Sequence, residues 1–341
     1  MLTARNGHPR RARFAAVEGY VPERVLTNAE LERMVDTTDE WIVTRTGIRE
    51  RHIAADDQAA SDLAVEVGSR LLERTGTDPA TLDAVLVATT TPDHVFPPTA
   101  PLVASRLGAA GCAALDLNAV CSGFVYGLAQ AVAMVESGMA DRVLLAGSEV
   151  LSRYLDWNDR ATCVLFGDGA GAALITAAGD EEADGFLGFD LGADGRGSEQ
   201  LTVPAGGSRR PARSGPDPAE LCIHMQGREV FKFATRIIEE SVRRLLDRVE
   251  VGIDQVDLMV AHQANIRIID HAVDRLGIRE DRVFNNIDRI GNTSSASIPI
   301  ALAEARDAGR LRPGDLVLLV GFGAGLTWGT TLARYEPEPV A

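Results

Sequence analysis

The chain is poor in the features that would mark a membrane, secreted or metal-stapled protein. No apolar run approaches the ~18 residues needed to cross a bilayer, because Gly, Glu or Asp interrupts each candidate. Only 4 cysteines occur in 341 residues and none forms a CxxC pair, which argues against a disulfide framework and for a reducing cytoplasm. Met1 to Arg13 carries Arg5, Arg10, Arg11 and Arg13, but no apolar segment follows, so it reads as a loose arm and not a signal peptide. Basic charge is also scarce. With 34 Lys plus Arg against 49 Asp plus Glu, the formal charge is −15, which disfavours nucleic acid as a partner. No pair of Cys or His stands at ligand spacing, so no metal is expected.

What is present describes a large core. Apolar residues make up 45% and charged residues 24%, and the length is enough for two structural halves. Short runs at Ala84 to Ala88, Val143 to Ala146, Leu258 to Ala261 and Leu316 to Val320 predict buried strands. Helical spacing covers Ser61 to Thr75, Phe124 to Ser137, Glu229 to Arg248 and Ile298 to Ala308. The alternation implies an α/β protein whose helices cover largely parallel sheets, with Gly206 to Pro218 as its clearest surface loop.

The order of these segments repeats. Asp83 and Asp257 each open a strand, Arg-Leu-Gly follows at Arg106 to Gly108 and at Arg275 to Gly277, and a helical stretch then ends at Gly138 and at Gly309. Val143 to Gly147 matches Val317 to Gly321. Counting back from Gly138 and Gly309 by the same interval sets Cys121 opposite Asn292. Two similar halves, divided within residues 176–222, are the expectation.

Three residues stand out for their chemistry. Cys121 lies between an apolar strand, Leu115 to Val120, and the helix opening near Gly123, where helix dipole and free N–H groups should lower its pKa. Cys112, Cys163 and Cys222 read as small core residues. His262 ends a strand and starts the polar run His262-Gln263-Ala264-Asn265, at the carboxyl edge where α/β proteins build sites. Asn292 follows Gly291 and opens a helix; locally a helix N-cap is the stronger reading, and its place opposite Cys121 is what shifts it toward chemistry. An imidazole and an amide converging on a cysteine would suit a reaction that develops negative charge on a thioester oxygen. The glycine clusters Gly167 to Gly171 and Gly321 to Gly325 are GxGxG, lack a Walker Lys-Ser/Thr and lead into strands, so they read as tight turns and not nucleotide loops.

Taken in order, Asp36 to Arg49, Cys121-Ser122-Gly123-Phe124, Phe166 to Ala172, His262 to Asn265, Gly291 to Ser294 and Gly321 to Gly325 resemble β-ketoacyl-acyl-carrier-protein synthase III of the thiolase superfamily, from about Phe14 to Arg334. The resemblance implies a five-layered αβαβα sandwich of two similar halves, a cytoplasmic homodimer, and no metal or other cofactor. Its boundaries would be an arm at residues 1–13, halves at 14–178 and 223–335, connecting loops at 179–222 and a tail at 336–341. It further implies a decarboxylative Claisen condensation of an acyl-CoA with malonyl-acyl carrier protein, initiating fatty acid synthesis; the alternative is a synthase or acyltransferase priming a specialised pathway with an unusual starter. Cys121, His262 and Asn292 would be catalytic, with the N–H groups of Cys121 and Ala324 as oxyanion hole. Trp41, Arg160, Thr37, Arg45, Gly227 and Asn265 match CoA-contacting positions, and Phe96 one that lines the acyl pocket of the neighbouring subunit. Gln263, Ala264, Asn265, Ile266 and Arg267 match the carrier-docking segment. An acidic carrier and a −15 chain repel at long range, so a local basic site near Arg267, extended by Lys232, Arg236 and Arg275, is expected.

Overall fold

A computed structural model describes residues 10–178 and 185–337. Residues 1–9 of the expected arm, 179–184 of the connecting span and 338–341 of the tail lie outside the described residues.

The first half runs β1 (Ala12–Tyr20), β2 (Arg24–Thr27), α1 (Asn28–Leu31), α2 (Asp39–Thr46), β3 (Glu50–Ile53), α3 (Ala60–Thr75), β4 (Ala84–Ala88), α4 (Thr99–Leu107), β5 (Ala113–Leu117), α5 (Gly123–Glu136), β6 (Arg142–Glu149) and β7 (Gly169–Ala177). The second half runs β8 (Phe186–Ala193), β9 (Leu201–Thr202), β10 (His224–Met225), α6 (Gly227–Val249), β11 (Leu258–Ala261), α7 (Ile266–Leu276), α8 (Ile287–Ile290), α9 (Ser297–Asp307), β12 (Leu316–Gly323) and β13 (Thr327–Arg334).

Two sheets carry the architecture, in the orders β1-β7-β6-β4-β5 and β11-β12-β13-β8. β4 pairs parallel with both β5 and β6, and β11 parallel with β12, while β7 and β13 run antiparallel to their neighbours. β4 is buried along its whole length, and so reads as an uninterrupted apolar run with no alternation. Helices α3 and α4 cover the outer face of the first sheet. Helices α6 and α7 cover the outer face of the second. Between the sheets lie α5 and α9, clasped into one apolar cluster with residues of both halves such as Leu145, Val260 and Leu319. The result is the expected five layers, α, β, α, β and α.

Two boundaries differ from expectation. β1 begins at Ala12, inside the span read as an arm, and the Arg10 guanidinium already donates to the Ala140 carbonyl at 2.9 Å. The span read as connecting loops contains β8, which pairs antiparallel with β13 and completes the second sheet. Its sequence, Phe-Leu-Gly-Phe-Asp-Leu-Gly-Ala, hides a half-exposed edge strand behind two glycines and an aspartate. Of the cysteines read as core residues, Cys163 is buried, but Cys112 and Cys222 are only half-buried.

Candidate active site

Each half makes one sharp elbow between a strand and its central helix. In the first, β5 gives way to Asn118 and Ala119, a single 3-10 turn at Val120–Ser122, and then α5. In the second, Asn292 and Thr293 lead into a 3-10 turn at Ser294–Ala296 and then α9. The backbones match residue for residue. Val120 and Ser294 both sit at φ +49°, Ala119 and Thr293 precede them at φ −127° and −100°, and the side chains of Asn118 and Asn292 accept from the amides of Val120 (3.4 Å) and Ser294 (2.9 Å). A valine in left-handed conformation is held there by its surroundings and not by preference.

This correspondence corrects the register of the sequence duplication. Cys121 stands opposite Ser295, and Asn292 opposite Asn118. Counting back from the terminal glycines misaligned them because α9 has 11 residues and α5 has 14.

Each elbow rests on a glycine of the other half. A side chain on Gly321 of β12 would come within 2.9 Å of the Ser122 Cα, and one on Gly147 of β6 within 2.5 Å of the Ser295 carbonyl oxygen. Gly323 leaves no more room, since its Cβ would lie 2.8 Å from the Cys121 Cβ. These glycines match in the two halves because both strands must let an elbow approach their backbone.

Cys121, His262 and Asn292 line one cavity of about 130 Å³, with Phe322, Gly323, Gly227 and Asn265 among its other walls. Cys121 also opens onto a larger cavity of about 370 Å³, lined among others by Leu151, Tyr154, Val203, Ile223, Ser294 and Ala324. Asn292 is clamped by its backbone: its amide donates to Leu165 at 2.9 Å and its carbonyl accepts from Gly167 at 3.0 Å. His262, at the end of β11, has its amide on the Val320 carbonyl at 2.7 Å and its Nδ1 2.7 Å from Ser297 Oγ.

Burial dominates the electrostatics. It pushes the Cys121 thiol up to about 12, against a downward pull from the Ser294 hydroxyl, with the Glu149 carboxylate adding to the rise. The expected lowering by the helix terminus is therefore overridden: Cys121 lies in the turn before α5, where loss of water outweighs the dipole. Burial likewise pushes His262 down to about 3, so the ring is neutral at ordinary pH. Glu149 carried no sequence signal, and Ser294 none beyond its place in the run Gly291 to Ser294. Glu149 lies wholly buried below the second elbow, accepting from the Thr90 amide (3.0 Å) and from the hydroxyls of Thr90 (2.9 Å), Thr91 (3.0 Å) and Ser295 (2.9 Å). Burial raises its pKa.

The remaining predicted residues fall in three places. Trp41 lies against two cations, with the Arg45 and Arg160 guanidinium carbons each 5.1 Å from its ring centroid, and Thr37 close by in sequence has a hydroxyl without a partner. Arg160 also donates to the Asp36 carbonyl at 2.8 Å. Gly227 opens α6, and Asn265 caps α7 while its amide donates to the Arg45 carbonyl at 2.9 Å. Phe96 is 83% exposed and lines neither cavity.

The segment read as a docking site splits. Gln263 is buried, donating to the Ala261 carbonyl (2.7 Å) and accepting from the Asn286 amide (3.2 Å), so it faces the core and not a partner. Ala264, Asn265 and Ile266 are half-buried, and Arg267 is exposed over the Phe231 ring. Lys232, Arg236 and Arg275 are paired with Glu229, Glu240 and Glu239, at 2.8, 3.2 and 3.0 Å. Among the described residues Arg267 has no carboxylate partner, no group of three His, Cys, Asp or Glu side chains could hold a metal ion, and no helix is long and apolar enough to cross a membrane.

Residues 115–195 match the family model for 3-oxoacyl-[acyl-carrier-protein] synthase III and residues 246–335 that for its C-terminal part. The chain is 52% identical over 322 residues to β-ketoacyl-[acyl-carrier-protein] synthase III of Desulfitobacterium hafniense, covering 94% of this chain and 97% of that one. The crystal structure of β-ketoacyl-[acyl carrier protein] synthase III from Thermus thermophilus superposes with TM-score 0.89 at 50% identity, covering 96% of this chain and 100% of that one. The priming β-ketosynthase of the R1128 polyketide pathway superposes with TM-score 0.90 at 36% identity, covering 97% and 99%.

Proposed function

The chain belongs to the 3-oxoacyl-[acyl-carrier-protein] synthase III family and catalyses the condensation that initiates fatty acid synthesis; from that premise we propose how its residues do so. The observation that carries the reading is that Cys121, His262 and Asn292, from opposite halves, line one cavity.

The Cys121 sulfur attacks the carbonyl of an acyl-CoA. The carbon–sulfur bond to CoA breaks, CoA leaves as a thiol with the proton lost by Cys121, and the acyl group stays on the enzyme. The N–H groups of Cys121 and Ala324 hold the oxyanion; Ala324 serves as well as glycine, because its φ is not positive and only its amide is used. Malonyl-acyl carrier protein then loses CO₂, and its carbanion forms a carbon–carbon bond to the acyl carbon while the Cys121 thiolate leaves. His262 and Asn292 donate to the thioester oxygen on which the enolate charge gathers. A neutral imidazole suits this role, since it offers a hydrogen bond without surrendering its proton. Every atom and electron balances without a metal or redox group.

The Trp41 ring and the Arg45 and Arg160 guanidinium groups are the flat surfaces on which the adenine of CoA stacks, one guanidinium swinging off the ring to admit it. Thr37, Gly227 and Asn265 line the way from there to the cysteine. Phe96 reaches into the acyl cavity of a second copy of the chain, a homodimer in the cytoplasm. Arg267 receives the acidic carrier, as an exposed cation that lies over the Phe231 ring and has no acid partner among the described residues.

Intact-mass measurement after incubation with acetyl-CoA, branched and longer acyl-CoAs tests the first step. One acyl mass should appear and vanish in Cys121→Ala; an acyl mass retained in that variant sinks the reading. Arg267→Glu should weaken use of malonyl-acyl carrier protein about tenfold while acylation by acyl-CoA continues. Equal loss of both would assign Arg267 to CoA or to the fold.

A further inference from the structure

His262 can act as a hydrogen-bond donor toward the cavity only if its proton sits on the ring nitrogen that faces it. A buried neutral ring has two tautomers, and something must choose between them. The partner of the other nitrogen is Ser297 Oγ, 2.7 Å from Nδ1. Ser297 is the first residue of α9 and is 1% exposed. Its oxygen already accepts from the Gln263 amide at 3.3 Å.

Hydrogen bookkeeping then decides the tautomer. With the Ser297 hydroxyl donating to Nδ1, its oxygen accepts from Gln263, Nδ1 accepts from Ser297, and the imidazole proton is left on Nε2. With the proton on Nδ1, the same oxygen would face two N–H donors, and its own hydrogen would have no acceptor among its described partners, on a side chain that is buried. Buried polar hydrogens are rarely left so.

We propose that Ser297 is a positioning residue that fixes His262 as the Nε2–H tautomer, through a hydroxyl hydrogen bond to Nδ1 backed by the Gln263 amide. The fold does not demand this hydroxyl. The matching position of the first elbow is Gly123, the first residue of α5, where the backbone makes the same entry into a helix with no side chain. The second elbow therefore governs two groups at once: Asn292 at its start and, through Ser297 at its end, the imidazole across from it. The proposal rests on the reading of His262 as a donor to the thioester oxygen.

Ring-¹⁵N-labelled protein supplies the test, with the His262 signals assigned by their loss in His262→Ala. The wild type should show a protonated Nε2 and a bare Nδ1. Ser297→Ala should fold with an unchanged melting midpoint, show a mixture of tautomers, and lose about 10- to 100-fold in the kcat of condensation with little change in KM. Ser297→Thr, which keeps the hydroxyl, should restore both. A protonated Nδ1 in the wild type overturns the proposal, as does a single unaltered tautomer in folded Ser297→Ala. A folded Ser297→Thr that behaves like Ser297→Ala overturns it too. A tautomer change without loss of condensation would leave Ser297 in its role and remove His262 from the one given to it.

Discussion

The two elbows have the same backbone and different chemistry. Both turn through a residue at φ +49°, both start on an asparagine, and both press on a glycine of the opposite half. At the position after the strained residue the first elbow carries Cys121, open to two cavities, whereas the second carries Ser295, whose hydroxyl is spent on the Ala88 carbonyl and Glu149, both at 2.9 Å. At the asparagine the two also differ, with Asn292 lining the smaller cavity beside Cys121 and His262 and Asn118 lining the larger one. A duplicated scaffold thus presents a thiol from one copy and an amide from the other to the same cavity, which suits the proposed roles of nucleophile and charge-stabilising donor.

The difference can be attacked directly. Moving the thiol across, in the double variant Cys121→Ala/Ser295→Cys, should give no acyl mass at all, because the second position points its side chain at Ala88 and Glu149. Acylation of the transplanted thiol would show that backbone alone makes the nucleophile. A smaller effect should separate the asparagines. Aspartate keeps the turn-closing oxygen but loses the N–H₂ donor, so Asn292→Asp should slow condensation about 10²- to 10³-fold, while Asn118→Asp should cost less than about tenfold. Equal losses in steady-state rates would mean that both residues serve only the turn.

The smallest effect concerns pH. In the unfolded chain His262 takes a proton below about 6.5, whereas in the folded protein burial postpones that to about 3. The folded state binds fewer protons in this window, so its stability is complete above pH 6.5 and falls as the pH drops, by at most about 1.4 kcal/mol per pH unit from this residue. Urea midpoints against pH, compared with those of His262→Ala, should show that slope in the wild type only. An unchanged slope would place the imidazole in water.

Much of this was legible in the sequence where local periodicity and burial agree. The strand at Leu258 to Ala261 and the helices around α3, α5, α6 and α9 lie within a residue or two of their expected places, because each has one continuous apolar face. The order of motifs also announced two halves. The register between them was hidden by a helix three residues shorter in the second half, which no pattern of apolar residues reveals. β8 was hidden because half-exposed edge strands tolerate Gly and Asp. The Cys121 pKa, the burial of Gln263 and the Ser297 contact depend on atoms brought together from distant parts of the chain; His262 and Ser297 are 35 residues apart, and no spacing rule links them.

The mutual support of the elbows also orders events in time. The turn that carries Cys121 is held at an unfavourable φ by β12, roughly two hundred residues downstream, and the turn that carries Asn292 by β6, far upstream. Neither half can acquire its working shape while the other is unmade, and contacts of such long range form late. The shape of the thiol-bearing turn is therefore a property of the whole chain, complete only when β12 and β6 have both taken their places beside the central helices.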